Sequence, residues 1–237
     1  MVPIRKGDGT GLGAKGYSQI RKGDGTVLWD AIPDAQPYYK IDEESGDVLN
    51  DANGDTNAQS TGSLVWVGDS DARHGFYVEL DSNNFVEIED SANDQLIDLN
   101  SDWTVGVTIN VSSALPSEAT IISYGDGSDG FALGADRSDG SEIVAGISNG
   151  NEHSVDQPSA PYQADLVVQW DGSNQTPTVF LNESEGSDAT EDVQINNDDE
   201  PVTIGTNRFN DLGGEGVEAF GFWPEIVDPS RYTTQGE

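Results

Sequence analysis

The chain has 237 residues, with 44 Asp and Glu against 10 Lys and Arg, a formal net charge of −34 at pH 7, and no cysteine. The lack of cysteine excludes disulfides, thiolate metal sites and cysteine nucleophiles. The acidity argues against a nucleic-acid partner, because phosphate binding needs clustered Lys and Arg. No stretch of 18 apolar residues occurs, so no membrane-spanning helix and no membrane insertion are predicted.

The charge is divided unevenly along the chain. Residues 1–40 carry six basic and four acidic residues, a net charge of +2, and include every lysine. Residues 41–237 carry four arginines and 40 carboxylates, a net charge of −36. Repulsion on this scale is screened at high salt, where the Debye length is about 3 Å at 1 M. The lysine-free body therefore favours adaptation to multi-molar salt. An acidic secreted calcium-binding domain would explain the acidity but not the missing lysines.

The N-terminal arm contains a repeat. The sequence Ile-Arg-Lys-Gly-Asp-Gly-Thr occurs at residues 4–10 and again at 20–26, and its Gly and Asp residues are typical of turns. The arm has too few apolar residues to form its own core. We expect it to dock by strand addition to another chain; the alternative is a leader that packs on its own domain. The predicted docking residues are Ile4, Ile20, Val27, Leu28 and Trp29.

The body shows short apolar runs with a period of two residues, separated by Gly, Asp, Asn and Ser, and no convincing helical periodicity. In the longest run, residues 103–111, the odd-numbered positions are apolar and predicted to be buried. Thr104, Gly106, Thr108 and Asn110 are predicted to face solvent. Many strands at short spacing predict an all-β antiparallel sandwich.

The predicted organisation has three parts. Residues 1–40 form the docking arm, residues 41–63 are acidic loops with one edge strand around Val48-Leu49, and residues 64–237 form the sandwich. The N-terminus shows neither a Sec signal nor a twin-arginine pattern, and we interpret the chain starting at Met1 as complete.

The order of these strands resembles the laminin-G/concanavalin-A-like jelly roll. The motifs that carry the resemblance are Phe76–Leu80 with Phe85–Ile88, Leu99–Val105, Asp165–Gly172 with Pro177–Asn182, and Val202–Thr206 with Val217–Trp223. The resemblance spans about residues 64–232 and implies binding to carbohydrate or protein, often with calcium. The Lys-Gly-Asp-Gly-Thr-Val-Leu-Trp run of the arm resembles short leaders on virion proteins of halophilic archaeal viruses.

Catalysis is not predicted. Glu79 with Asp81 and Glu87 with Glu89 have the alternating spacing of paired hydrolase carboxylates. The third carboxylate of the hydrolase pattern is replaced by Asn83, and such pairs arise by chance in a chain this acidic. The two histidines, His74 and His153, are interpreted as exposed loop residues, and no catalytic triad is supported.

No cofactor is required by the sequence, although calcium is a possible ligand. Asp51-x-Asn53-x-Asp55 has the opening spacing of a calcium loop, but Thr56 and Gly62 stand where an EF-hand needs Gly and Glu. Oxygen ligands could also come from the Gly125–Gly130 loop, Asn207 and Asp211; ordinary acidic turns are the alternative. The metal site is left unassigned.

Loops at one rim of a sandwich often carry recognition. The predicted rim comprises the loops 126–130, 149–153 and 207–214. Its predicted binding residues are Asp126, Asp129, Asn151, Arg208, Phe209 and Asp211.

The function predicted from these features is a structural surface appendage of a haloarchaeal virus, either a tail fibre or baseplate component or a capsid turret or decoration. It would assemble in the host cytoplasm as a homo-oligomer, dock through the arm to other virion proteins and sibling subunits, and bind host surface glycan or S-layer protein. One alternative is an exported, extracellular lectin-like adhesion module of a haloarchaeon, and a weaker one is a glycan hydrolase.

Overall fold

The computed structural model of the protein describes residues 19–21, 27–30, 37–52, 56–88, 96–125, 130–147, 151–189, 200–206 and 211–234. Strands account for 55% of the structure and helix for 2%, which confirms the predicted all-β sandwich. The chain divides into two compact units, Met1–Asp34 and Ala35–Glu237.

The first unit contains strands β1 and β2, which pair antiparallel as a two-stranded sheet. Ile20 lies opposite Trp29, and a register shift follows between Ile20 and Arg21. The predicted docking residues Ile20, Val27, Leu28 and Trp29 are therefore in strands, whereas Ile4 lies outside the described residues. Docking of this unit to another chain stays a prediction.

The elements, in chain order, have the following bounds. They are β1 (Gln19–Arg21), β2 (Val27–Asp30), β3 (Tyr38–Tyr39), β4 (Val48–Leu49), β5 (Ala58–Thr61), β6 (Val65–Gly68), β7 (Phe76–Leu80), β8 (Phe85–Ile88), β9 (Trp103–Val111), β10 (Thr120–Gly125), β11 (Phe131–Ala135), β12 (Glu142–Ile147), β13 (Glu152–Asp156), β14 (Tyr162–Asp171), β15 (Thr176–Leu181), β16 (Ser184–Glu185), β17 (Ser187–Asp188), β18 (Glu200–Ile204), β19 (Glu215–Trp223) and α1 (Ser230–Thr234).

The second unit is a sandwich of two antiparallel sheets. One sheet has nine strands in the order β17-β13-β12-β11-β10-β18-β8-β5-β4, and the other has eight in the order β16-β15-β14-β9-β19-β7-β6. Strand β3 also pairs with β19, beside Phe220 and Gly221. No helix in these described parts is long and apolar enough to cross a membrane.

A single large apolar core lies between the two sheets. The eight-stranded sheet contributes side chains such as Val105 and Val168, and the nine-stranded sheet contributes others such as Leu133 and Ile204. Trp103 stacks on Trp170 with ring centroids 5.6 Å apart. Aromatic pairs at this spacing add to the stabilisation that comes from apolar burial.

The strand predicted at residues 103–111 and the edge strand predicted at Val48-Leu49 are both present with the predicted bounds. The sheets also include strands that the sequence did not indicate. β3 and β5 precede residue 64, where the sandwich was predicted to begin, and Tyr39 and Ala58 are fully buried there. Polar residues dominate this region, so only one strand, at Val48–Leu49, was expected.

Buried carboxylates fix the loops at one end of the sandwich. Asp136 is fully buried and accepts hydrogen bonds from the backbone amides of Ser138, Asp139 and Glu142. Burial would raise the pKa of Asp136, but these hydrogen bonds together lower it. Glu215 likewise accepts bonds from the backbone amides of Ser112 and Ser113. The acidic residues here serve as loop anchors.

The outer face of β9 corrects the prediction that Thr104, Gly106 and Thr108 face solvent. All three are buried beneath residues 224–234, which we call the strap. Thr104 Oγ1 donates to Glu225 O at 2.8 Å, and Gln169 Nε2 donates to Val227 O at 2.7 Å. A Cβ at position 106 would overlap the ring of Tyr232, so glycine is required for this close approach.

Candidate functional site

An ion pair marks the border of the strap on the outer face of the eight-stranded sheet. Arg73 Nη2 lies 2.5 Å from Asp165 Oδ2, and the two side chains are 14% and 15% exposed. Arg73 Nη1 donates to Tyr232 O at 3.1 Å, and its guanidinium carbon lies 4.7 Å from the Tyr232 ring centroid. Thr108 Oγ1 donates to Asp165 Oδ1 at 2.7 Å. These contacts join the loop 69–75 to the strap.

A buried carboxylate lies beside this ion pair. Glu218 is fully buried and accepts hydrogen bonds from Gln163 Nε2 at 2.6 Å, Asn110 Nδ2 at 3.2 Å and the Arg73 amide at 2.9 Å. Burial raises the pKa of Glu218, although these donors and the Arg73 charge oppose the rise. The carboxylate thereby holds two amide side chains, Asn110 and Gln163, in fixed orientations.

The remaining part of this face is open to solvent. The strand register aligns Glu79, Gly216, Asn110 and Gln163 in one row across four strands, about 14 Å at the usual strand spacing. Tyr77 occupies the space in front of Gly216, where a Cβ would overlap its ring. Burial, followed by the nearby carboxylates of Glu79, Asp69, Glu215 and Glu218, raises the pKa of Tyr77.

We call this surface the platform and define it by Tyr77, Glu79, Asn110, Gln163 and Glu218. Tyr77, Glu79 and Asn110 are partly exposed and Gln163 is exposed, with Glu218 as the buried base. A partly exposed aromatic ring, two oriented amides and the Glu79 carboxylate on rigid strands are groups that can bind a hydroxyl-rich molecule. Glu218 is fully buried and acts only through the amides that it orients.

The strand register places the loops of the predicted rim at two different ends of the sandwich. The β10–β11 and β12–β13 connections lie at one end, because Tyr124 pairs with Phe131 and Phe131 with Ile147. Gly205, just after β18, donates its backbone amide to the carbonyl of Ile121, near the start of β10. The β18–β19 connection therefore starts at the opposite end. The prediction that these three loops share one rim is therefore wrong, because β18 runs antiparallel to β10.

Two of the six predicted rim residues are described. Asn151 Nδ2 donates to Gln175 O at 3.4 Å, at the first end. Asp211 is at the other end, where its Oδ1 accepts the Gly213 amide at 2.6 Å. Asp126, Asp129, Arg208 and Phe209 lie outside the described residues. A binding role for these rim residues stays a prediction.

Calcium binding also stays a prediction. Asp51 Oδ1 accepts the Tyr38 amide at 2.9 Å and so ties β3 to the connection between β4 and β5, while residues 53–55 lie outside the described part. Within the described residues, no group of three or more His, Cys, Asp or Glu side chains is arranged to hold a metal ion.

The paired carboxylates do not converge. Glu79 is on β7 of the eight-stranded sheet and Glu87 is on β8 of the nine-stranded sheet. Their neighbours Val78 and Val86 point into the core between the sheets, so the two glutamates project from opposite outer faces. Glu87 Oε2 accepts the Thr61 hydroxyl at 2.9 Å. Glu79 and Glu87 therefore do not form one acid–base pair of the glycosidase type, and Glu89 lies outside the described residues.

The two histidines differ from the prediction of exposed loop residues. His153 is in β13, half-buried, and its Nδ1 accepts the Val179 amide at 3.1 Å. His74 is in the loop 69–75, half-buried, with Nε2 3.2 Å from the Tyr38 hydroxyl. Burial lowers the pKa of each histidine.

The platform was missed in the sequence, although signals for it were present. Glu218 is the one carboxylate between apolar residues in 217–223, and a charge in a fully buried strand needs partners. Asn110 ends the polar side of β9. The partners Gln163 and Tyr77 are far apart in sequence, so only the sheet order brings them together.

No protein-family model and no curated protein matches the sequence. The fold is similar to several solved structures at 15% identity or less, which supports the fold alone. One is domain 4 of an extracellular GH43 arabinanase from Geobacillus stearothermophilus in complex with arabinotriose, with a TM-score of 0.58 and 15% identity, covering 86% of this chain and 98% of that domain.

Botulinum neurotoxin structures are also similar in fold. The type G receptor binding domain has a TM-score of 0.56 and 13% identity, over 86% of this chain and 52% of that one. A type C neurotoxin structure, whose protein depends on two ganglioside molecules for its uptake into cells, has a TM-score of 0.55 and 12% identity, over 83% and 49%. The chain thus spans about half the length of these toxin structures, and its similarity to them supports the β-sandwich fold.

Proposed function

We propose that this protein is a non-catalytic glycan-recognition module and that the platform is its binding site. The observation that carries the proposal is the ring of Tyr77 over Gly216, beside the amides of Asn110 and Gln163 that Glu218 orients. Aromatic faces pack on the apolar faces of sugars, while amides and carboxylates bind hydroxyls. The arabinotriose bound to the arabinanase domain gives the proposal further support.

The charges of the platform favour a neutral sugar. Glu79 and Glu218 are its ionisable groups besides Tyr77, and the Arg73 guanidinium is engaged by Asp165. A sulfated or sialylated glycan on the platform would place its negative charge beside the partly buried Glu79, where salt screens repulsion least. A neutral, hydroxyl-rich glycan avoids this repulsion.

The test is a titration with arabinotriose and with a sialylated oligosaccharide, in about 2–3 M KCl, followed by NMR. We expect arabinotriose to shift resonances of the platform and the sialylated sugar to have a weaker effect. Tyr77→Ala should abolish these shifts. Phe85→Ala, which removes a partly exposed aromatic ring from the other sheet, is the matched control and should preserve them. Equal binding by both variants would contradict the proposal.

We further propose that the module is a surface appendage of a haloarchaeal virus, docked through residues 1–40. The lysine-free acidic body and the repeated, near-neutral arm support this assignment. Mass spectrometry and immunogold labelling of purified particles would test it. Detection on uninfected cells, rather than on particles, would contradict it.

The exported adhesion module is favoured by one observation. Of the three Asn-x-Ser/Thr sequons, those at Asn174 and Asn182 lie in exposed turns, whereas Asn110 is in β9 and bonded to Glu218. Intact-mass measurement of native protein tests this second candidate, since glycans on Asn174 and Asn182 would indicate export.

A further inference from the structure

The four edges of the two sheets in the described body differ in length and composition. On one flank, β16 and β17 have two residues each and carry Glu185 and Asp188. On the other flank, β4 has two apolar residues, and β6 has four residues of sequence Val-Trp-Val-Gly. Natural sheets protect their edges by keeping them short or charged. β6 is the longest of these edges and lacks that protection.

The edges β4 and β6 lie next to each other. Leu64 N donates to Asp47 Oδ1 at 3.2 Å, and Trp66 Nε1 donates to Gly46 O at 2.9 Å. Val48 is 39% exposed and Val65 is 45% exposed, two of the three large apolar side chains that are exposed in the described residues. Val48 shares the outer face of the nine-stranded sheet with Glu87, whereas Val65 and Val67 lie on the outer face of the eight-stranded sheet, opposite Glu79 and Tyr77. We call Val65, Val67 and the outer backbone edge of β6 the valine flank.

The valine flank is apolar but surrounded by negative charge. Val65 pairs in register with Glu79, and Asp47 and Asp69 adjoin the ends of β4 and β6. Joining the flanks of two bodies would bring Asp47, Asp69 and Glu79 of both copies together, and salt screens partly buried charges least. The arm differs, since it has a net charge of +2 and provides a hairpin, β1–β2, whose second strand has four residues, as does β6.

We propose that the β1–β2 hairpin of one copy adds to the β6 edge of a second copy. Main-chain hydrogen bonds would extend the eight-stranded sheet, and the apolar residues of β2, Val27, Leu28 and Trp29, would supply contacts for the valines. The arm and the flank are different surfaces, so the contact is heterologous and repeats around a closed ring or along a fibre. The proposal names the partner of the predicted arm and is independent of glycan binding by the platform.

Two substitutions in the full-length chain separate the two surfaces. Val65→Lys places a charge on the β6 edge, and Leu28→Pro removes an amide and the strand geometry from β2. Ser184→Lys makes the same charge change on the opposite edge and is the control. The mass of each protein is measured by light scattering in about 2–3 M KCl, with circular dichroism as the check on folding.

We expect the wild type and Ser184→Lys to be oligomers, and each of the other variants to be a monomer. Mixing Val65→Lys with Leu28→Pro should give a 1:1 dimer, because the mixture retains one intact arm and one intact flank. A monomeric wild type, an oligomeric Val65→Lys variant, or a mixture without dimer would each overturn the proposal. If Val65→Lys does not fold, Val67→Lys, on the same strand and the same face, takes its place.

Failure of this proposal is distinguishable from failure of the glycan site. Monomeric Leu28→Pro should bind arabinotriose with the same affinity per site as the wild type, because Leu28 is in the arm, whereas Val65 pairs with Glu79 of the platform. Loss of oligomerisation without loss of sugar binding supports the docking contact alone. Loss of sugar binding in monomeric Leu28→Pro would overturn the separation of the two sites.

Discussion

The outer face of the eight-stranded sheet has two halves that are built on the same strands. One half is covered by the strap, and the other is open. Along β9, Thr104, Gly106 and Thr108 are sealed beneath the strap, whereas Asn110 is part of the open platform. The border between them is the Arg73–Asp165 ion pair. Both halves are polar, so polarity does not determine which half is solvated. The difference comes from the strap, which satisfies the polar groups that it buries.

The half beneath the strap should contribute much to the free energy of unfolding, and the platform should contribute little. Tyr232 is fully buried and its hydroxyl donates to Ala219 O at 2.9 Å, whereas Tyr77 is partly exposed. We expect Tyr232→Ala to reduce the free energy of unfolding by about 3–5 kcal/mol. Tyr77→Ala should cost about 1 kcal/mol or less. Denaturant unfolding at constant high salt measures both, and equal costs would remove the distinction between the halves.

The border ion pair should have the next largest effect. Arg73→Met leaves the partly buried Asp165 without its cation, and we expect a loss of about 3 kcal/mol. Arg137→Met is the matched control, because the Arg137–Glu118 pair is 3.8 Å long with side chains 50% and 38% exposed. That pair should contribute about 0.5 kcal/mol or less.

The double variant Arg73→Met with Asp165→Asn should recover part of the loss, since no uncompensated charge is left. Thermal unfolding of four proteins, the wild type, Arg73→Met, Asp165→Asn and the double variant, would show this coupling. Additive losses would mean that the two groups do not stabilise each other.

The sequence predicted the alternation of β9 correctly but not the environment of its polar side. Alternation determines which side chains share a face, and the apolar residues Val105 to Val111 do face the core. The cover over Thr104 and Gly106 comes from residues 224–234, more than 100 positions away, and has no periodic signal of its own. The candidate site was missed for the same reason, because Tyr77, Asn110 and Gln163 meet only through the order of the strands. The rim was misjudged because loop composition does not reveal strand direction.

A smaller effect is expected from Glu218, the buried carboxylate of the platform, whose contribution to the free energy of unfolding should depend on pH. The folded protein holds the proton of Glu218 more tightly than the unfolded chain does, because burial raises its pKa. This contribution stabilises the fold at acidic pH and is lost as the pH rises through the folded pKa. Relative to Glu218→Gln, the wild type should therefore lose stability as the pH rises above about 4.3, the ordinary pKa of a glutamate. An opposite trend in the difference between the two unfolding free energies would contradict this assignment.

The smallest expected effect involves the loop 69–75, which forms the border between the halves. Burial, followed by the charges of Arg73 and Lys40, lowers the pKa of His74, and Asp42 opposes this only in part. Its stabilising contribution is therefore present at neutral pH and is lost as the pH falls below the unfolded value of about 6.5. His153 should behave alike, because protonation of Nδ1 would place a hydrogen against the Val179 amide. The chain has two histidines, so two imidazole resonances in an NMR titration report both groups directly. A His74 pKa at or above 6.5 would mean that the loop is solvated, and the platform and the sealed half would then no longer be separated by a packed border.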